Sequence, residues 1–421
     1  MRPLNDSTTN FGKPGTSGRN RAIRRRGVFA KYLLPAKIAM CSTLDLFRRR
    51  PVALLVAGVA TLIVVATAFL ITAGFIAWLG IYDVAATKKH NEVFAWFLHF
   101  TMRNSVKAHA STTPPPRLDD PTLIEQGKRY TELRCAACHG APGLPADIDA
   151  QGMLPPPPKF SDLASEFSPN QLHWIIKHGV KMSAMPPWPT QKRDDEIWGL
   201  VAYLKHVNKD PLALPIEPQN DEQGTGIGAS VTEKTCFVCH GSDGNGRNGV
   251  FPKLAGLSPN YIQKSLVAFK TGERPSGFMQ PFAVRLSDGD IGKLADYYGR
   301  LDRYSNRAGA AQNEQQIRRG AVIAELGQST RPSPACQACH VRDDATQTSS
   351  VPDLAGQSAR YLSTQLKLFR SGIRSGTPDA EIMARVARSL SDADITDVSA
   401  YFAALPTRIE DGSRLGPPAH P

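Results

Sequence analysis

A five-residue pattern occurs three times in this chain: Cys135-Ala136-Ala137-Cys138-His139, Cys236-Phe237-Val238-Cys239-His240 and Cys336-Gln337-Ala338-Cys339-His340. Two thiols three positions apart, followed at once by an imidazole, make the attachment site of a c-type haem. The thiols bond to the porphyrin edge and the histidine reaches the iron. Six of the seven cysteines lie in these motifs, and only Cys41 is left over. Zinc would need two further ligands at each site, and a redox dithiol would not carry a histidine at the same place each time. The pattern therefore predicts three covalent haem c groups. Cys135, Cys138, Cys236, Cys239, Cys336 and Cys339 are the thioether donors, and His139, His240 and His340 are axial ligands of the iron.

The formal charge of +12 would point to an anionic partner if it were spread over the chain. It is not. Residues 1–50 hold 12 basic and two acidic side chains, a net of +10, which leaves +2 for everything after them. No nucleic-acid surface is expected. After Arg48-Arg49-Arg50, the 31 residues from Val52 to Tyr82 include no charged side chain. At about 1.5 Å per helical residue this is longer than a hydrocarbon core of about 30 Å. The stretch reads as a transmembrane anchor in the lipid bilayer, since a cleaved signal has a shorter apolar core and a small-residue cleavage site. The basic flank keeps the N-terminus cytoplasmic and puts the remainder on the periplasmic side of a bacterial inner membrane, the side on which covalent haem is attached.

The organisation that follows is a largely disordered basic leader (1–50), the anchor (51–82), a juxtamembrane segment with a proline-rich spacer (83–117), a first haem domain (118–209), a linker (210–222), second and third haem domains (223–305 and 306–408) and a tail (409–421). The aromatic and basic run from His90 to Ala110 is expected at the membrane interface, with Ser111–Pro116 as a stiff spacer that lifts the haem domains away. His173, His178 and His206 read as surface histidines.

Domains two and three are an internal repeat. His240 and His340, Leu254 and Leu354, Tyr261 and Tyr361, Phe269 and Phe369, and Gly272 and Gly372 are each 100 positions apart. The offset then becomes 104 for Met279 and Met383, Leu286 and Leu390, and Tyr297 and Tyr401, so an insertion lies between Gly272 and Met279. Leu286-Ser287-Asp288 and Leu390-Ser391-Asp392 are the expected caps of closing helices. In the first domain Pro121–Leu133 and Asp194–Val207 carry helical periodicity on either side of the motif.

From Leu118 to Leu405 these features resemble class I cytochrome c in three successive copies, and the last two are similar to dihaem cytochromes of the c4 type. The resemblance implies an all-α fold of three tandem domains behind the single membrane helix. It also implies a distal methionine shortly before each closing helix. Those positions are Met185 in Met182-Ser183-Ala184-Met185-Pro186, with Met182 the alternative, then Met279 and Met383. The prolines that would accept the imidazole N–H in this family correspond to Pro158, Pro252 and Pro352. Iron with both axial positions filled by protein passes single electrons and does not bind substrate.

The function implied is electron relay in the respiratory chain, between a donor such as a dehydrogenase or cytochrome complex and an acceptor such as a terminal oxidase. The protein is then an electron carrier and not an enzyme. The alternatives are the cytochrome subunit of a membrane-bound alcohol, gluconate or aldehyde dehydrogenase and, if one methionine were not a ligand, a haem peroxidase.

Overall fold

The computed structural model describes residues 51–142, 144–209, 231–247, 249–303, 313–327, 333–340 and 350–407. The basic leader with Cys41, the linker 210–222, the connection 306–312 and the tail 409–421 lie outside the described residues. The described secondary structure is helical, with one isolated bridge between Ala141 and Leu144. The chain divides into two units, Met1–Val84 and Ala85–Pro421.

The first unit is helix α1, Pro51–Trp78. At about 1.5 Å per residue its 28 residues extend about 42 Å, long and apolar enough to cross a membrane. Thr61, Thr67 and Thr72 each donate a hydroxyl to the carbonyl four residues back at 2.8 Å, so these side chains need no outside partner. The helix stops four residues short of the expected Tyr82. Gly80, with φ of 65°, turns the backbone in a conformation that side-chain-bearing residues resist.

The second unit begins with α2, Glu92–His109, capped by the Asn91 side chain on Val93 N at 2.9 Å. Only its first half resembles an interfacial helix. Phe94, Trp96, Phe97 and Phe100 are exposed, but Val106 is 1% exposed and, with Met102, packs into the core of the next domain. Arg103 pairs with Glu166 at 2.7 Å, and Asn170 Nδ2 donates to the carbonyls of Ser111 and Thr113 at 2.6 and 2.9 Å. The start of the expected spacer is therefore tied down against the helical domain that follows it.

That domain has α3 (Pro121–Arg134), α4 (Ala136–His139), α5 (Ile148–Gln151), α6 (Phe160–Glu166), α7 (Pro169–His178) and α8 (Asp194–Lys209). Asp120 caps α3 through Thr122 N at 2.9 Å, and Pro121 occupies the first turn, where its missing N–H costs nothing. α3 lies across α8 at two glycines: a Cβ on Gly127 would sit 2.0 Å from the Gly199 carbonyl oxygen. Backbone meets backbone there, and Ile197, Leu200, Val201 and Tyr203 of α8 are at most 2% exposed. Each such buried side chain contributes about 1.5–3 kcal/mol of burial. His173, expected at the surface, is only 12% exposed at its side chain and lies 4.4 Å from the Trp198 ring, because α7 packs on α8.

The second repeat has α9 (Val231–His240), α10 (Pro259–Thr271), α11 (Gln280–Ala283) and α12 (Asp288–Gly299). The third has α13 (Glu314–Leu326), α14 (Gln337–His340), α15 (Ala359–Arg370), α16 (Pro378–Ser389) and α17 (Asp392–Ala404). Ser287 and Ser391 form capping boxes with Asp290 and Asp394. α13 crosses α17 as α3 crosses α8, with a Cβ on Gly320 meeting the Asp397 carbonyl oxygen at 2.1 Å. Arg319 secures that crossing by donating to both Asp397 oxygens, at 2.6 and 2.9 Å. Arg274 N and Arg374 N bond equivalent carbonyls, Ala268 and Leu368, so the inserted residues come after this arginine. Their effect is that short α11 is replaced in the third repeat by α16, three turns long.

Candidate functional site

Each motif histidine ends a helix that begins at or before its second cysteine, so thiols and imidazole share one helical turn. In all three cases the imidazole Nδ1 faces a prolyl carbonyl. His139 lies 2.7 Å from Pro158 O, His240 3.0 Å from Pro252 O and His340 2.9 Å from Pro352 O. A carbonyl only accepts, so Nδ1 carries the proton and Nε2 keeps its lone pair. Burial lowers the pKa of His240 and His340, against the opposing pull of the prolyl carbonyl, and so favours the neutral ring a metal requires. The first proline follows its histidine by 19 residues and the other two by 12. The longer first loop still returns to the same bond.

One thiol of each motif is unlike those of a redox dithiol. Burial pushes Cys135 and Cys239 up to about 12 and Cys336 up to about 11, where an activated thiol would be lowered. Among the described residues no group of three or more His, Cys, Asp or Glu is arranged to hold a metal ion.

In the third repeat Cys336, His340 and Met383 line one cavity whose remaining walls are largely apolar, among them Leu354, Leu366 and Phe402. A thiol, an imidazole and a thioether around an apolar slot suit a flat apolar ring with two axial donors. In the first domain Met182 is 85% exposed, while Met185 is half-buried and its carbonyl accepts from Val180 N at 3.2 Å. Met279 is half-buried just before α11, its N–H donating to Ser276 Oγ at 3.0 Å.

Two groups of residues at the domain contacts were not singled out from sequence. Between the second and third repeats, Arg274 Nη2 donates to Tyr361 Oη at 2.9 Å and Arg374 Nη2 donates to Tyr261 Oη at 3.3 Å. Each guanidinium also stacks on a phenylalanine of its own repeat, Phe269 or Phe369, at 4.4 and 4.3 Å. The arrangement is reciprocal, as in a twofold interface. Its sequence signal was available, since the arginines are 100 positions apart like the tyrosines. Between the first and second repeats, Glu196 at the start of α8 is 2% exposed and holds the segment ahead of Met279. No periodicity marks that residue.

The family model for cytochrome c oxidase, cbb3-type, subunit III matches residues 122–204 and 225–297, and the model for cytochrome c matches residues 324–406. The thiosulfate dehydrogenase electron acceptor of Stutzerimonas stutzeri is 36% identical over 177 residues, covering 42% of this chain and 81% of that protein. Cytochrome c4 of Pseudomonas aeruginosa is 32% identical over 183 residues, 43% of this chain and 89% of that one. The crystal structure of reduced recombinant cytochrome c4 from Pseudomonas stutzeri aligns with 41% of this chain and 95% of its own at 30% identity, with a TM-score of 0.37. With its haem-attachment motifs on short helical turns, and with relatives covered over most of their length, the chain belongs to the cytochrome c family and is an electron-transfer protein carrying covalent haem c.

Proposed function

We propose that this cytochrome is a membrane-tethered, three-haem electron relay whose three tandem domains lie on the periplasmic side of the inner membrane. The observation that carries the reading is the threefold recurrence of one unit, a Cys-x-x-Cys-His turn with its imidazole Nδ1 2.7–3.0 Å from a prolyl carbonyl. Haem c would be attached through Cys135 and Cys138, Cys236 and Cys239, and Cys336 and Cys339. His139, His240 and His340 would be its proximal ligands and Met185, Met279 and Met383 its distal ones. When bound, the group supplies one-electron chemistry.

The chain's own part is to fix the imidazoles through Pro158, Pro252 and Pro352, to present thioethers opposite them and to keep water off the ring. Arg274 and Arg374 have no carboxylate partner among the described residues. Two half-buried cations gathered at one interface favour a bound anion, a need that the carboxylates at the porphyrin edge would fit. α1 is the tether to the lipid bilayer, with the basic leader on the cytoplasmic side.

The thiosulfate dehydrogenase electron acceptor among the relatives favours a dehydrogenase as electron donor, which makes a subunit of such a complex the second reading. Iron analysis and haem staining after denaturing electrophoresis test the first part: three irons retained per polypeptide are expected, and fewer would overturn it. Purification of the native complex from membranes in mild detergent tests the second. Co-purification with a dehydrogenase at fixed stoichiometry establishes a subunit, and isolation alone establishes a carrier.

A further inference from the structure

The first domain reaches into the second at the segment that precedes Met279. Glu196 Oε1 accepts from Ser276 Oγ at 2.7 Å and Oε2 accepts from Gly277 N at 2.6 Å. Trp188 Nε1 donates to Oε2 at 3.4 Å, and Arg193 Nη1 lies 3.1 Å from Oε1 while donating to Pro275 O at 3.0 Å. From the other side Tyr130 Oη donates to Gly277 O at 2.9 Å. Gly277 has no room to be anything else, since a Cβ there would lie 2.0 Å from Trp188 Nε1. Phe278 closes the contact against the Tyr130 ring at 4.8 Å and the Trp188 ring at 5.6 Å. Ser276 then passes the constraint on, its Oγ accepting Met279 N at 3.0 Å and its carbonyl accepting Gln280 N at 3.1 Å.

A carboxylate 2% exposed is costly to bury, and helix capping does not explain this one, because its oxygens bond another domain. Besides the contacts from Trp188 and Arg193 of its own domain, each oxygen accepts one bond from the second, on the consecutive residues Ser276 and Gly277, and Met279 is next but one. Hydrogen bonds to a charged group are worth about 1.5–3 kcal/mol each, enough to hold a short loop in one conformation. We infer that Glu196 is a positioning residue for the Met279 thioether, so that the first domain sets the axial bond, and with it the reduction potential, of the second haem. This rests on Met279 being the distal ligand.

The test uses the full chain in detergent with its haems attached and compares Met279→Ala, Glu196→Ala, Glu196→Gln and Ser276→Ala with wild type. The readouts are haem stoichiometry, the ferric methionine-to-iron charge-transfer band and a potentiometric titration that resolves the haems. Met279→Ala first identifies the band component and the potential that belong to the second haem. Glu196→Ala is expected to retain every haem, weaken that component and shift that potential by a threefold or larger change in the oxidised-to-reduced ratio, about 30 mV for one electron. Ser276→Ala should do the same, and Glu196→Gln, which keeps an acceptor for Gly277 N, should recover part of the loss. If Met279→Ala removes no band, the ligand assignment itself is wrong. If Met279→Ala removes one component while both Glu196→Ala and Ser276→Ala leave that component and potential unchanged, the positioning role alone is overturned. A shift in a different haem overturns it equally.

Discussion

Replacing Gly127 with alanine tests whether the crossing of α3 over α8 holds the first domain together. The added Cβ would lie 2.0 Å from the Gly199 carbonyl oxygen, 2.5 Å from its carbon and 2.9 Å from Tyr203 Cβ. Non-bonded heavy atoms rest at about 3.5–4.0 Å, so the helices must part by more than about 1 Å, and the obstructing atoms are backbone that cannot rotate aside. Overpacking against backbone falls at the upper end of the usual range, about 3 kcal/mol, whereas the gain in helix propensity from glycine to alanine is about 1 kcal/mol. The net loss is about 2 kcal/mol. For a domain of this size that lowers Tm by about 8–16 °C.

Tryptophan fluorescence during thermal unfolding is a suitable assay, because Trp174, Trp188 and Trp198 lie in this domain and neither later repeat contains a tryptophan. Gly320→Ala, whose Cβ would meet Asp397 O at 2.1 Å, should show the loss chiefly in the ellipticity of the third repeat. Gly292→Ala in α12 meets nothing within 4 Å and should be neutral or gain a few degrees. A Gly127→Ala protein melting within about 2 °C of wild type, or at the temperature of Gly292→Ala, would refute the argument.

Substituting Met383 with alanine should remove one methionine-to-iron band while leaving covalent haem in place, read from the ferric spectrum and haem staining; an unchanged spectrum rules that ligand out. Asp120 is pushed up by burial, but bonds from Thr122 and Arg360 outweigh this and hold it down at about 2, against an ordinary 3.8. A depressed carboxyl contributes stability above its unfolded pKa that is lost as pH falls through the folded one. Denaturant titrations should therefore show wild type losing more stability than Asp120→Asn between about pH 4 and pH 2, by less than about 1 kcal/mol because the pair is partly exposed. Deleting residues 1–82 should leave a haem-bearing protein that no longer sediments with membranes; continued sedimentation would remove α1 as the tether.

The helices and their caps were legible because they are local. Leu-Ser-Asp announced the Ser287 and Ser391 caps, and the resemblance to class I cytochrome c pointed to Pro252 and Pro352, whose carbonyls lie 3.0 and 2.9 Å from the Nδ1 of His240 and His340. What sequence did not disclose depends on neighbours distant in the chain. Glu196 follows Asp194 and Asp195 in a first helical turn, where acidic residues ordinarily face water and favour the helix dipole, and only the arrival of Ser276 and Gly277 makes it interior. The whole of α2 reads as an aromatic and basic segment, yet Met102 and Val106 in its second half are core because α7 covers them. The insertion in the third repeat was visible as a change of offset, but not that it would become α16.

The crossed arginines and tyrosines give the tandem pair a constraint on its history. Duplication ordinarily frees one copy to drift while the other keeps working. Here Arg274 completes Tyr361 and Arg374 completes Tyr261, so either half carries the unmet needs of the other. A change at one position calls for an answer 100 residues away, and the two halves are bound to diverge, if they diverge at all, as a couple.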